Sequence, residues 1–148
     1  MEQNLTEKEK QVYVTLYKKD GASYALILLA VLTEFVYAIS ILDVMPVSFL
    51  MGVTVIINIF LLFLLFTCAV KVNVYERQWA VVGLLTGAYM LLRQFVLVPV
   101  VLQPYDRTHI ILAANVVGAI LLFAAGTKSL QKSAKRHKLQ QKLAHPNV

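Results

Sequence analysis

Charge is scarce in this chain, and the scarcity narrows its class before any motif is sought. Only 15% of the 148 residues are Asp, Glu, Lys or Arg, against 59% apolar. A soluble domain of this length needs a polar surface, so an ordinary water-soluble fold is excluded. Cysteine is rarer still. Cys68 stands alone, so neither an internal disulfide nor a cysteine metal cluster can form, and it reads as a small buried hydrophobe. The three histidines, His109, His137 and His145, lack any metal-binding spacing. Ser23, Ser40 and Ser48 have no histidine at their level, so no nucleophile–base pair is read. We therefore expect no metal, no cofactor and no enzymatic activity.

What the chain has instead is long apolar runs. About 20 residues at 1.5 Å rise cross the ~30 Å hydrocarbon core of a bilayer. Four runs fit that length, at about 22–42, 47–70, 79–102 and 109–127, separated by short polar breaks. Asp43 and Pro46 end the first, Lys71 to Gln78 separates the second from the third, and Gln103 to Thr108 precedes the fourth. The fold class expected is an all-α membrane protein: an antiparallel bundle of four transmembrane helices occupying 21–127. Residues 1–20 read as a short helix lying in the membrane interface. Thr6 and Glu9 have capping-box spacing, and Val12, Tyr13, Leu16 and Tyr17 fall on one face. No cleavable signal is expected, because the leader is acidic as well as basic and no small-residue cleavage site follows a short apolar core.

The net charge of +6 is confined to one place. The first 20 residues and the middle balance, whereas the tail from 128 to 148 carries Lys128, Lys132, Lys135, Arg136, Lys138 and Lys142 and no acid. A basic run directly after a span attracts anionic lipid headgroups, at about 1 kcal/mol per cation near the surface. Lys128, Lys132, Lys135, Arg136 and Lys138 are the expected headgroup contacts. Nucleic acid is not the expected partner, since no stacking platform or binding module accompanies the charge. Lysine and arginine bias loops toward the cytoplasm. Twelve lie in the N-terminal segment, the 71–78 loop and the tail, against Arg107 alone in the opposite loops. Both termini are therefore expected to be cytoplasmic, and a plasma membrane is assumed.

Each run also contains polar residues that are expensive to bury in hydrocarbon. Counted from the inner ends, Glu34, Asn58 and Asn115 come out about 18 Å deep and Arg93 about 21 Å. Four helices thus supply polar groups to one layer, which Gln94 and Tyr37 join. Glu34 shares its stripe with Ser23, Ala30, Tyr37 and Ala38, and Asn115 with Ile111, Gly118, Ala119 and Leu122. Such small-residue stripes face neighbouring helices rather than lipid. Gly83 and Gly87 form a GxxxG pair that marks a close helix contact, within the chain or to another copy.

Three meanings of the layer are open. Glu34 and Arg93 form a structural ion pair between helices, or they form a binding site or proton relay in which Arg93 anchors an anionic group, or a partner protein supplies the counter-charge. An acidic residue in the first span, Glu34 within Leu32-Thr33-Glu34-Phe35, is similar to that of the small multidrug resistance transporters. Arg93 and the basic tail depart from that pattern, and membership does not follow. Leu32-Thr33 with Pro46-Val47 matches Leu85-Thr86 with Pro99-Val100 at a shift of 53. These four identities in an apolar-rich stretch do not establish a duplication. The expected function is a non-enzymatic subunit or accessory component of a membrane assembly, as a homo-oligomer or with a larger membrane partner. The alternative is a small dimeric transporter using Glu34 and Arg93.

Overall fold

The computed structural model describes residues 19–96 and 108–144, together with Val12 and Val14. Four helices occur among the described residues: α1 (Gly21–Leu42), α2 (Phe49–Asn73), α3 (Arg77–Val96) and α4 (Thr108–Ala144). No strand accompanies them there. Three of the four, α1, α2 and α4, are long and apolar enough to cross a membrane. α3 carries Arg77, Gln78, Arg93 and Gln94 within its 20 residues, which lowers its apolar character. The outer part of the expected third span, with Pro99, and the turn after it lie outside the described residues. So does most of the expected interfacial helix before residue 19.

The helix starts follow from local chemistry. The Asp20 carboxylate accepts a hydrogen bond from the Ser23 N–H at 3.3 Å and caps α1. Ser48 sits in extended backbone and its hydroxyl accepts from the Met51 N–H at 3.3 Å, so α2 begins just after the position hydropathy suggested. Between α2 and α3 the chain turns at Tyr75, whose φ of 65° is left-handed. Glycine usually fills such a place, and a tyrosine there costs about 1–2 kcal/mol. α4 does not stop at the end of its apolar run. Its 37 residues form one helix about 55 Å long, well beyond the ~30 Å of a hydrocarbon core.

The helices alternate in direction. The Asp20 N–H donates to the Asn73 carbonyl at 3.1 Å, joining the start of α1 to the end of α2. The α3–α4 register is antiparallel too: Leu84 faces Gly126, Gly87 faces Leu122, and Met90 faces Gly118. α4 packs against both α1 and α3, while α2 packs mainly on α1 and only lightly on α3. Two apolar clusters fill the interior. The larger, toward the α1 start, includes Ile27, Leu65, Cys68, Met90 and Leu122. The smaller, toward the far end, holds Tyr37, Ile41, Met45, Ile111 and Ala114. Outside, large apolar side chains are left open, Phe60 at 72% and Phe63 at 71% exposed among them. In water such a surface promotes association, whereas lipid solvates it.

Candidate functional site

Between the two apolar clusters lies the layer of polar residues read from the sequence. Arg93 of α3 reaches across the bundle axis with only 3% of its surface exposed. Its Nη1 donates to Glu34 Oε1 at 2.8 Å, and its Nη2 donates to Glu34 Oε2, a two-pronged pair between α3 and α1. Nη1 also donates to Asn58 Oδ1 of α2 at 3.4 Å. Nε donates to Asn115 Oδ1 of α4 at 2.8 Å, and Nη2 approaches the same oxygen. Guanidinium has five N–H donors and no acceptor. Each therefore has an oxygen acceptor, and the acceptors come from all three other helices.

A second tier holds these partners in place. The Asn115 amide donates to Gln94 Oε1 at 2.7 Å, which orients its oxygen toward Arg93. The Tyr37 ring lies under the guanidinium, 3.6 Å from Cζ to the ring centre, adding a cation–π contact. Tyr89 stands farther off at 6.0 Å. Glu34 is fully buried, so the layer encloses one positive and one negative charge and is neutral as a unit. Two polar atoms in it lack a hydrogen-bond partner, the Tyr37 hydroxyl and the Asn58 Nδ2.

The six layer residues named from sequence, Glu34, Asn58, Arg93, Gln94, Asn115 and Tyr37, thus meet in one place. The glycines do something different from a single packing face. A Cβ on Gly83 would stand 3.4 Å from Cys68 Sγ on α2, whereas one on Gly87 would stand 3.2 Å from Leu122 on α4. Gly118 admits Thr33 of α1 and Met90 of α3, each 2.6 Å from where its Cβ would be. The tightest approach that sequence reading missed is at Gly126, where a Cβ would lie 2.6 Å from Leu84 and 3.1 Å from the Ala80 carbonyl. Its spacing from Gly118, eight residues along the same helix, is the signal that could have shown it.

The end of the bundle where α1 begins carries a second polar assembly. Lys132 of α4 pairs with the fully buried Asp20 carboxylate. Burial pushes the Asp20 carboxyl up, but hydrogen bonds from Lys132 and Ser23 and the Lys132 charge outweigh it and hold the group below its ordinary value. Lys71 pairs with Glu76 at 2.9 Å across the α2–α3 turn. The Arg136 guanidinium lies 5.0 Å from the centre of the Tyr75 ring. Of the other tail cations, Lys128, Lys135 and Lys138 are exposed along α4. The Asp20–Lys132 pair joins residues 112 apart in the chain, and sequence gave no sign of it. Among the described residues, His, Cys, Asp and Glu nowhere gather into a group able to hold a metal ion.

No family model, curated protein or solved structure matches this chain. Its class therefore rests on the fold itself: the described residues are helical, three of their helices are able to cross a membrane, and a buried, charge-neutral polar layer lies between the helices.

Proposed function

We propose that this chain is a non-enzymatic component of a membrane assembly, a subunit or accessory protein whose polar layer fixes the helices against one another. The observation that supports this is the saturation of Arg93. An arginine that anchors a substrate anion must keep donors free for it, and here all five are engaged by Glu34, Asn58 and Asn115. The pair also lowers the cost of carrying Arg93 through hydrocarbon. On that basis we assign α3 as a fourth span, and from the lysine and arginine placement we assign both termini to the cytoplasmic side of a plasma membrane, with an interfacial helix before α1. The cations from Lys128 to Lys138 then face anionic headgroups.

One observation favours a second reading, a small dimeric transporter. The Tyr37 hydroxyl and the Asn58 amide are buried in the layer without partners, and a polar solute or a proton carrier could engage them. The deciding experiment is the mass of the natively expressed, gently solubilised protein, with identification of what accompanies it. A stoichiometric larger companion is the expected result. A homodimer alone, with liposome flux that is lost in Glu34→Gln, would move the assignment to transport.

A further inference from the structure

The inner end of the bundle holds a cavity of about 570 Å³. It is bounded by residues far apart in sequence: Lys19 just before α1, Gly21 at its start, Tyr75 in the α2–α3 turn, and Lys132 and Lys135 of α4. Cavities of about 300–1,000 Å³ are the usual size for small-molecule recognition. Three ammonium groups border this one, and the carboxylates nearby are already engaged, Asp20 by Lys132 and Glu76 by Lys71. Lys19 and Lys135 form no ion pair with another described residue, so among the described residues the cavity carries an excess of positive charge. Arg136 stands behind its Tyr75 wall, with a buried Nε that has no acceptor.

Depth identifies the kind of anion. Lys132 and Lys135 lie about 7–12 Å beyond the end of the apolar run at Thr127, counted at 1.5 Å per residue. That is the level of the headgroups flanking a ~30 Å hydrocarbon core. Lys19 reaches the same level from the other side, because Asp20 beside it pairs with Lys132. We propose that the cavity is a specific site for the phosphodiester headgroup of one anionic phospholipid, held by Lys19 and Lys135, with Lys132 positioned by Asp20. This rests on the assignment of the chain to a membrane, and it differs from diffuse attraction to the tail, which would treat all tail lysines alike.

The test is native mass spectrometry of delipidated protein titrated with phosphatidylglycerol or phosphatidylcholine. Two charge-matched pairs are compared, Lys19→Gln with Lys135→Gln against Lys128→Gln with Lys138→Gln. Gly21→Leu serves as a third variant, since a Cβ there meets nothing within 4 Å and the side chain would occupy the cavity while every charge is kept. Melting temperature is recorded for each, and Lys135→Gln alone replaces the first pair should that pair lose its fold.

The expected result is one phosphatidylglycerol retained in preference to phosphatidylcholine. That retention should fall about tenfold in the first pair and in Gly21→Leu, and less than about twofold in the second pair. Equal losses in the two pairs, with no effect of Gly21→Leu, would overturn the site while leaving diffuse headgroup attraction standing. Absence of any preference for the anionic lipid would overturn both. Full displacement of the lipid by millimolar inorganic phosphate would show a free-anion site instead and would also sink the proposal.

Discussion

Arg93 is the residue on which most of this molecule turns, because its charge cannot be shed and its burial has to be matched group for group. Glu34 supplies the opposite charge, and Asn58 and Asn115 take the donors that a carboxylate cannot reach. Removing one partner from a buried pair costs about 3–5 kcal/mol, since the remaining charge is left uncompensated. Glu34→Gln should therefore lower thermal stability markedly, and exchanging the two residues, Glu34→Arg with Arg93→Glu, should restore part of it. A Glu34→Gln protein that melts with the wild type would contradict the structural assignment. Asn115→Ala strips an acceptor from two donors at once and should cost about 1–3 kcal/mol. Asp20 makes a prediction of a different kind. Its carboxyl is held below the ordinary value chiefly through Lys132 and Ser23 despite its burial, so the stabilisation it gives is complete above the unfolded value near 4. It is then lost as pH falls through the lower folded value. Melting temperature should drop on that acid limb, and Asp20→Asn should flatten this part of the profile while lowering stability at neutral pH.

At the scale of the helix, what could be read from sequence was what a single helix encodes. Four apolar runs, the break at Asp43 and Pro46 and the polar positions Glu34, Asn58, Arg93 and Asn115 are properties of each run by itself. Similar depth counts then placed those residues in one layer, which the hydrogen bonds join. The contacts that depend on which helix neighbours which were not readable. Gly83 and Gly87 look like one face but meet α2 and α4 respectively, and the Asp20–Lys132 pair depends on α4 remaining helical past its apolar run. Gly126 shows what such a contact is worth. Alanine there would place its Cβ 2.6 Å from Leu84 and 3.1 Å from a backbone carbonyl, and overpacking of this kind costs about 1–3 kcal/mol. Gly52, on the open side of α2, meets nothing within 4 Å, so Gly52→Ala should instead stabilise by about 0.5–1 kcal/mol through helix propensity. Thermal melts of the two variants should move in opposite directions.

For the whole molecule the decisive quantity is the number of crossings, because three helices meet the length and apolarity of a span and α3 carries the arginine. A span count of four requires Arg77 and the tail to lie on one side and the α1–α2 turn on the other. With three crossings, α3 would stay at one surface and α4 would carry the tail to the side of that turn. Lone Cys68 is fully buried, so impermeant maleimide labelling of intact cells starts from a silent background. Val47 is 94% exposed beside the α1–α2 turn, and Arg77 and Lys138 are exposed at the α3 start and on the α4 extension. With four crossings and cytoplasmic termini, Val47→Cys labels from outside, while Arg77→Cys and Lys138→Cys label only after the membrane is permeabilised. Labelling of Lys138→Cys together with Val47→Cys from outside would remove α3 as a span. The Glu34–Arg93 pair would then need an explanation other than passage through hydrocarbon, since an arginine at the surface has water to solvate it and no reason to recruit three helices.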